Sequence, residues 1–263
     1  MMRAFSAAAT GMNAQQLIVD TIANNLANIN TVGFKRTQVD FQDLIYIQMA
    51  EAGREVAAGI QAPSGLEVGC GVRPASTLKI HTQGEAENTG RNLDLMIEGD
   101  GFFKISLPSG EARYTRDGSI RVNAKGNLVT SSGYLVEPAL TIPNNTRAVS
   151  IGQDGTVTIF SGTNNTATNA GQITLVRFAN PSGLRAEGEN LLAETPASGT
   201  PVTGTPGQDG MGNIRQGFLE RSNVQMVQEL VNLITAQRAY EINSRAIRAG
   251  DDMLTTANRL VGG

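Results

Sequence analysis

The stretch ANNLANINTVGFKR, residues 23–36, decides how this chain is read. Its asparagines and threonines suit a loop, yet Leu26 and Ile29 continue a helical beat that starts far upstream. Apolar residues recur at sevens through Phe5, Met12, Val19 and Leu26, and an adjacent row runs Ala8, Gln15, Ile22 and Ile29. A seven-residue apolar repeat marks a helix that lies along another helix. Asn30 and Gly33 supply the stop, because glycine enters the left-handed conformation that closes a helix without a Cβ clash, and asparagine tolerates it better than most residues. The stretch is therefore the exit of a long amphipathic helix.

The other end of the chain carries a matching pattern. Met226, Leu233, Tyr240, Ile247, Leu254 and Val261 recur at sevens, with small Ala239 and Ala246 alongside. Ser222, followed three residues later by Gln225, reads as a capping box. It predicts a helix over residues 222–260, about 57 Å long at 1.5 Å per residue. Glu241 with Arg245, and Arg248 with Asp252, are spaced i,i+4 for a solvated face. With no other helix of comparable length in the sequence, the two seams are expected to pack on each other and on copies from neighbouring chains. Closing a loop of about 190 residues costs roughly 5 kcal/mol. Each buried Leu or Ile contributes about 1.5–3 kcal/mol, so a dozen seam residues outweigh that closure term.

Between the helices the pattern changes. Turn signals GDG (99–101), RDG (116–118), AKGN (124–127), SSG (131–133) and QDG (153–155) punctuate the short runs FFKISL, SIRV, NLVT, YLVE and TVTIF. Their β-branched and aromatic enrichment predicts an all-β region. SGTNNTATNA, residues 161–170, reads as a loop, QITLVRFA as a further strand, and residues 195–213 as an extended connector. In residues 47–71, QMAEAGREVAAG fits a helix and APSGLEVGCGV a turn followed by extended chain; the whole is read as an arm leaving the helical region. The expected fold class is α+β: long N- and C-terminal coiled-coil helices packed together, with an all-β middle domain and an extended arm. The corresponding segments are 1–46 (N-terminal helical), 47–70 (arm), 71–215 (β-rich middle with linkers) and 216–263 (C-terminal helical).

The chain's 263 residues, 40% of them hydrophobic, suffice for one large or two modest cores. With 21 basic and 24 acidic residues the net charge is −3, and no run of Lys or Arg marks a nucleic-acid or membrane footprint. Cys70, the one cysteine, cannot form an intramolecular disulfide. Gly11, Asn13, Gln15 and Gln16 interrupt any signal-peptide core, and no span approaches the ~18 apolar residues of a membrane helix. The chain is expected to be soluble, unprocessed and not membrane-inserted.

Catalytic chemistry finds little to stand on. His81 is the sole histidine, so a triad or a histidine-based metal site would have to be built around it. Ser76 and Asp94 qualify by residue type alone, no nucleophile elbow surrounds either serine or aspartate, and a surface or turn position is expected for His81. Gly69-Cys70-Gly71 lacks the third glycine of a dinucleotide fingerprint. Glu98 with Asp100, and Asp251 with Asp252, lack the ligand spacing of a calcium loop. Asn144 and Asn164 lie in Asn-x-Thr sequons, which predict exposed loops. No catalytic, cofactor-binding or metal-ligating residue is assigned, and no cofactor is expected.

Helical ends, a β middle and ANNLANINTVGFKR together resemble the rod and hook proteins of the bacterial flagellum, over nearly the whole chain. The family's N-terminal signature is matched by Asn24, Asn25, Leu26, Ala27, Asn28, Asn30, Gly33, Phe34 and Lys35. HTQGEAENTGRNLDLMIEGDGFFKI and YTRDGSIRVNAKGNLVTSSGYLV are similar to the family's β-domain entry, and ELVNLITAQRAYEINSRAI to its C-terminal helix. APSGLEVGCGVRPASTLKIHTQG resembles the stretch that follows an insertion typical of the distal-rod branch. Met96 and Ile120 stand where the family often has Ala and Phe.

The resemblance implies a structural protein without enzymatic activity that self-associates into a helical rod, with proximal-rod or hook protein as the alternative within the family. It also implies export through the flagellar type III apparatus without a cleaved signal, and assembly in the periplasm. Implied neighbours are proximal-rod proteins, hook protein, a rod cap, and the P and L rings; nucleic acid is not among them. The assembly seam is expected to comprise Phe5, Met12, Val19, Ile22, Leu26, Ile29, Met226, Leu233, Tyr240, Ile247 and Leu254. A secreted β-domain binding protein oligomerised by its terminal helices is the competing class. It would need an exposed aromatic platform, and the chain has no Trp and only 5% aromatic residues.

Overall fold

The computed structural model describes residues 2–57, 60–61, 63–161 and 166–261, and is α+β: a long helix at each end and β structure between. Helix α1 spans Met2–Ala27 and helix α2 spans Met226–Val261. The chain divides into two compact units. The first joins Met1–Leu26, Thr37–Leu78 and Gln225–Gly263; the second joins Ala27–Arg36 and Lys79–Val224.

The second unit is built around the strand Phe102–Ser106, which is apolar on both sides of the pleat and pairs antiparallel with three others. Ala112–Thr115 pairs with Thr115 opposite Phe103, Leu135–Glu137 with Val136 opposite Ile105, and Leu175–Arg177 with Leu175 also opposite Phe103. A three-stranded antiparallel sheet, Thr146–Ile151, Thr156–Ser161 and Thr166–Gln172, lies beyond it in sequence. Leu95, Ile97, Phe103, Ile105, Val136, Val157, Leu175 and Ile214 are fully buried in one continuous core, and Phe102, Tyr114, Val176 and Phe178 form a second cluster. The all-β expectation for FFKISL, SIRV, NLVT, YLVE and TVTIF matches strands at each site.

Two polar segments depart from the expected loops. Thr166–Gln172 is a strand in register with Thr156–Ser161, with threonines that favour strand and with Thr168 and Asn169 exposed; residues 162–165 of the expected loop lie outside the described residues. Within the expected connector, Val202–Gly204 pairs with Leu175–Arg177.

In the first unit α1 and α2 run antiparallel where they touch. A Cβ on Gly250 would meet the Phe5 ring at 2.7 Å, and one on Gly11 would meet Asn243 Nδ2 at 3.0 Å, so both helices use glycine where the other comes close. The described part of segment 47–70 consists of short paired strands joined by turns, which overturns the helical reading of QMAEAGREVAAG. Tyr46–Ala50 pairs with Leu66–Gly69, with Ile47 opposite Val68, and Glu55–Ala57 pairs with Ile60–Gln61. Gly53 sits at φ +82°, a conformation that breaks a helix but suits a turn. Residues 58, 59 and 62 lie outside the described residues.

Helix α2 begins at Met226, four residues later than the capping-box reading. The Ser222 hydroxyl accepts from the Val224 amide at 3.3 Å rather than from a helical N3 amide. The Asn223 amide group donates to the carbonyls of Ile80 and Thr82, and its oxygen accepts from the Arg36 amide at 2.7 Å. These bonds hold Ser222 and Asn223 in the β unit, and the first helical bond runs from the Glu229 amide to the Gln225 carbonyl at 3.0 Å.

Candidate assembly surface

The signature residues fall at the exit of α1. Asn25 is 1% exposed and clamps one backbone residue from both sides: its Nδ2 donates to the Thr37 carbonyl at 2.8 Å and its Oδ1 accepts from the Thr37 amide at 2.9 Å. A side-chain amide in that geometry replaces a strand neighbour, which a carboxylate or an alkyl chain cannot do. Asn28 Oδ1 accepts from the Thr31 hydroxyl at 3.1 Å, and Asn30 Oδ1 from Arg221 Nη2 at 3.4 Å. Asn24 is exposed. Gly33 has φ +68°, and a Cβ there would fall 2.8 Å from the Arg116 carbonyl carbon. The Phe34 ring lies 5.9 Å from the Lys79 ammonium.

Lys35 ends the signature in an ion cluster. Its Nζ lies 2.6 Å from Glu220 Oε1, and Arg116 Nε lies 2.7 Å from Glu220 Oε2; Lys35 is 5% exposed and Glu220 1%. Gly84 N also donates to Glu220 Oε1 at 2.9 Å, and Lys35 Nζ to the Thr82 carbonyl at 2.7 Å. Three further Arg116 N–H groups reach the carbonyls of Gly101, Ile97 and Gly99. Burial alone would raise the Glu220 pKa, but the charges of Arg116 and Lys35 and their hydrogen bonds outweigh it and hold the carboxyl below its usual range. Burial lowers the pKa of Lys35, with Glu220 opposing the shift.

His81 departs from the expected surface position. Both ring nitrogens are shielded from solvent and make no hydrogen bond of good geometry, and the ring meets Phe102 edge-on with centroids 5.7 Å apart. Burial, reinforced by the positive charges of Lys35, Lys79 and Arg116 and opposed only by the Pro181 backbone, holds its pKa down at about 4. Ser76 donates to Asp40 at 3.4 Å, and the Asp94 carboxylate is held by Arg91 at 2.8 Å and by Thr89, so neither serves His81. Among the described residues no three His, Cys, Asp or Glu side chains cluster at metal-binding distance, and no helix is long and apolar enough to cross a membrane. Asn144 is exposed; Asn164 lies outside the described residues.

The seam residues divide by burial. Ile22 is buried; Phe5, Met12, Val19, Leu26, Ile29, Leu233, Ile247 and Leu254 are half-buried; Met226 and Tyr240 are exposed. Val19 and Tyr240 line one groove of about 560 Å³ with Gln16, Gln237 and Glu241. Glu241 lies 3.8 Å from Arg245 on the solvated face of α2. Val227, Leu230, Val231, Ile234 and Ile242 are also exposed, Val227 by 75%. They fall off the sevenfold row, so a strict heptad count passes over them although they form a large part of the apolar face of α2. Arg116 and Glu220 were equally out of reach of periodicity. For Glu220 the one sequence signal is an acid that follows Phe218 and Leu219; Arg116, flanked by Thr115 and Asp117, offers none.

Two long helices with apolar rows, that of α2 exposed, a closed β unit and a signature at the helix exit are the features of an axial structural protein. The family models agree and cover both ends and the middle. Residues 5–35 match the flagella basal body rod protein model, residues 96–159 the D1 domain of the flagellar hook proteins FlgE/F/G, and residues 215–260 the C-terminal region of the flagellar basal body rod FlgEFG proteins. The chain belongs to the flagellar basal-body rod protein family. It is similar to the flagellar basal-body rod protein FlgG of Borreliella burgdorferi, 48% identical over 262 residues and 99% of each chain. FlgG of Caulobacter vibrioides is 45% identical over 260 residues, 98% of this chain and 99% of its own. The flagellar hook-basal body complex protein FlhP of Bacillus subtilis is 34% identical over 271 residues, 98% and 99%.

Proposed function

We propose that the chain polymerises through α1 and α2 into the straight distal segment of the flagellar rod and transmits torque from motor to hook. The observation that carries this reading is the apolar face of α2, exposed at Val227, Val231, Ile234, Tyr240 and Ile242 in the isolated chain. An exposed apolar face of that extent is a contact surface. Torque transmission calls for many rigid contacts in a heterologous, non-closing arrangement, which generates a helical tube. The helices form the inner wall as coiled-coil seams through Phe5, Met12, Val19, Ile22, Leu26, Ile29, Met226, Leu233, Tyr240, Ile247 and Leu254. Asn24, Asn25, Asn28 and Asn30 fix the backbone where the chain turns outward.

Segment 47–70 is the arm that bridges subunits and holds the rod straight. The apolar side chains of Ile45, Tyr46, Ile47, Met49 and Leu66 are exposed around its paired strands, which supports a contact role. The partners are copies of this chain, proximal-rod proteins below, hook protein above, a rod cap during growth, and the P and L rings around the rod. The chain reaches the periplasm through the flagellar type III exporter. Electron cryotomography of basal bodies in cells lacking this gene tests the reading: a rod that stops short of the outer rings, with no hook, is the expected result. A complete rod lacking only the hook reassigns the chain to the hook, and an intact flagellum overturns the proposal.

A further inference from the structure

The second unit holds a cavity of about 570 Å³ that the assembly reading leaves without a role. Its wall carries three cations, Lys35, Arg116 and Arg177, against one carboxylate, Asp100, together with His81 and the rings of Phe102 and Phe178. Donor arithmetic separates the cations. Arg116 spends four of its five N–H groups on Glu220 and on the carbonyls of Gly101, Ile97 and Gly99, so it contributes field and one remaining Nη1 N–H. Lys35 has three N–H groups and gives two, to Glu220 and Thr82, leaving one. Arg177 is exposed at the rim and takes part in no ion pair among the described residues, so its planar fork is free. Glu220 offsets one positive charge from behind Lys35 and Arg116, and its oxygens are already engaged by Lys35, Arg116 and Gly84.

His81 adds the second observation. Both of its ring nitrogens are shielded from solvent, and the Pro181 backbone is the polar group that acts on the ring. A neutral imidazole presents one N–H donor and one acceptor. The wall thus offers the Arg177 fork, an ammonium proton of Lys35 and an Nη1 N–H of Arg116, with the His81 ring beside them and an aromatic floor formed by Phe102 and Phe178, whose centroids are 6.0 Å apart. A planar acceptor pair suits the fork, and a few methylenes suit the floor.

We propose that this cavity is a receptor for a carboxylate carried on a short apolar stem, held by Arg177 and Lys35 with the stem against Phe102 and Phe178. Two sources have that chemistry: an Asp or Glu side chain of a neighbouring copy, which rests on the rod reading, and a free small carboxylate, which does not.

Because His81 is the only histidine, its imidazole signals in proton NMR report on the cavity without assignment ambiguity. The experiment titrates butyrate into the full-length chain held as monomer. The expected result is a saturable shift of the His81 ring signals, with at least a fivefold weaker response to the neutral isostere butyramide. Arg177→Gln, a change at an exposed side chain that leaves the backbone spectrum intact, weakens butyrate at least fivefold. The His81 titration midpoint rises from its starting value of about 4 when butyrate saturates, since a carboxylate beside the ring stabilises the imidazolium. No shift with butyrate, an equal response to butyramide, or an unchanged Arg177→Gln overturns the proposal. In the assembled polymer, exclusion of butyrate from His81 assigns the site to a neighbouring copy, and retained binding assigns it to a free carboxylate. The solution arm stands whether or not the chain polymerises, so its failure is distinct from failure of the rod reading.

Discussion

The two units handle their apolar side chains in opposite ways. Among the described residues, every exposed large hydrophobic except Val122 and Val202 lies in the first unit, and every buried hydrophobic except Ala14, Ile22 and Ala236 lies in the second. The second unit closes its own core and holds an ion cluster inside it, with both carboxylate oxygens of Glu220 engaged. The first keeps its helices half-covered and its paired strands bare. A sheet that satisfies itself is stable alone, whereas a helix with a bare apolar row is stable in company. The chain thus separates a self-sufficient body from surfaces that other molecules complete.

That contrast can be broken most directly at Glu220. Glu220→Ala leaves Lys35 and Arg116 as two buried cations without a counter-ion, and a loss of about 3–5 kcal/mol is expected in chemical denaturation followed by near-ultraviolet absorbance. A loss below 1 kcal/mol would mean that the cluster is solvated and the second unit not closed. Phe103→Ala, at the centre of the core, should cost a similar or slightly smaller ~3–4 kcal/mol.

A pH series sharpens the same point. The unfolded chain takes up a proton at His81 near the ordinary value of 6.5, while the folded chain resists it down to about 4. Stability should therefore fall by about 2–3 kcal/mol as pH drops through that window, and His81→Phe should flatten the slope. The folded-state pKa of Glu220 is depressed, so its contribution is present above the unfolded carboxylate range and is lost only as pH falls through the lower folded value.

The smallest effect on the isolated chain belongs to the first unit. Val227→Asp should change monomer stability by no more than about 0.5 kcal/mol, yet abolish polymer formation seen by sedimentation and negative-stain microscopy. A large loss of monomer stability at Val227 would erase the distinction between the units.

How far the sequence carried differs between the same two regions. Both helices were legible because a sevenfold apolar row survives over many turns, as from Phe5 to Leu26 and from Met226 to Leu254. Strands with apolar alternation, such as Phe102–Ser106, were legible too. Thr166–Gln172 was not, since its polar composition mimics a loop and only its pairing with Thr156–Ser161 reveals it. The described part of QMAEAGREVAAG, residues 48–57, misled in the opposite direction: alanine and glutamate favour helix locally, and strand pairing overrides them. The ion cluster was invisible because its members stand at 35, 116 and 220, and no local spacing links them.

That wide spacing sets an order of events. Chains are made from the N-terminus, so Lys35 and Arg116 exist long before Glu220 does, and until Glu220 arrives their enclosure would trap two like charges. The acid that balances them is the last of the three to be made, so it works as a latch delivered late.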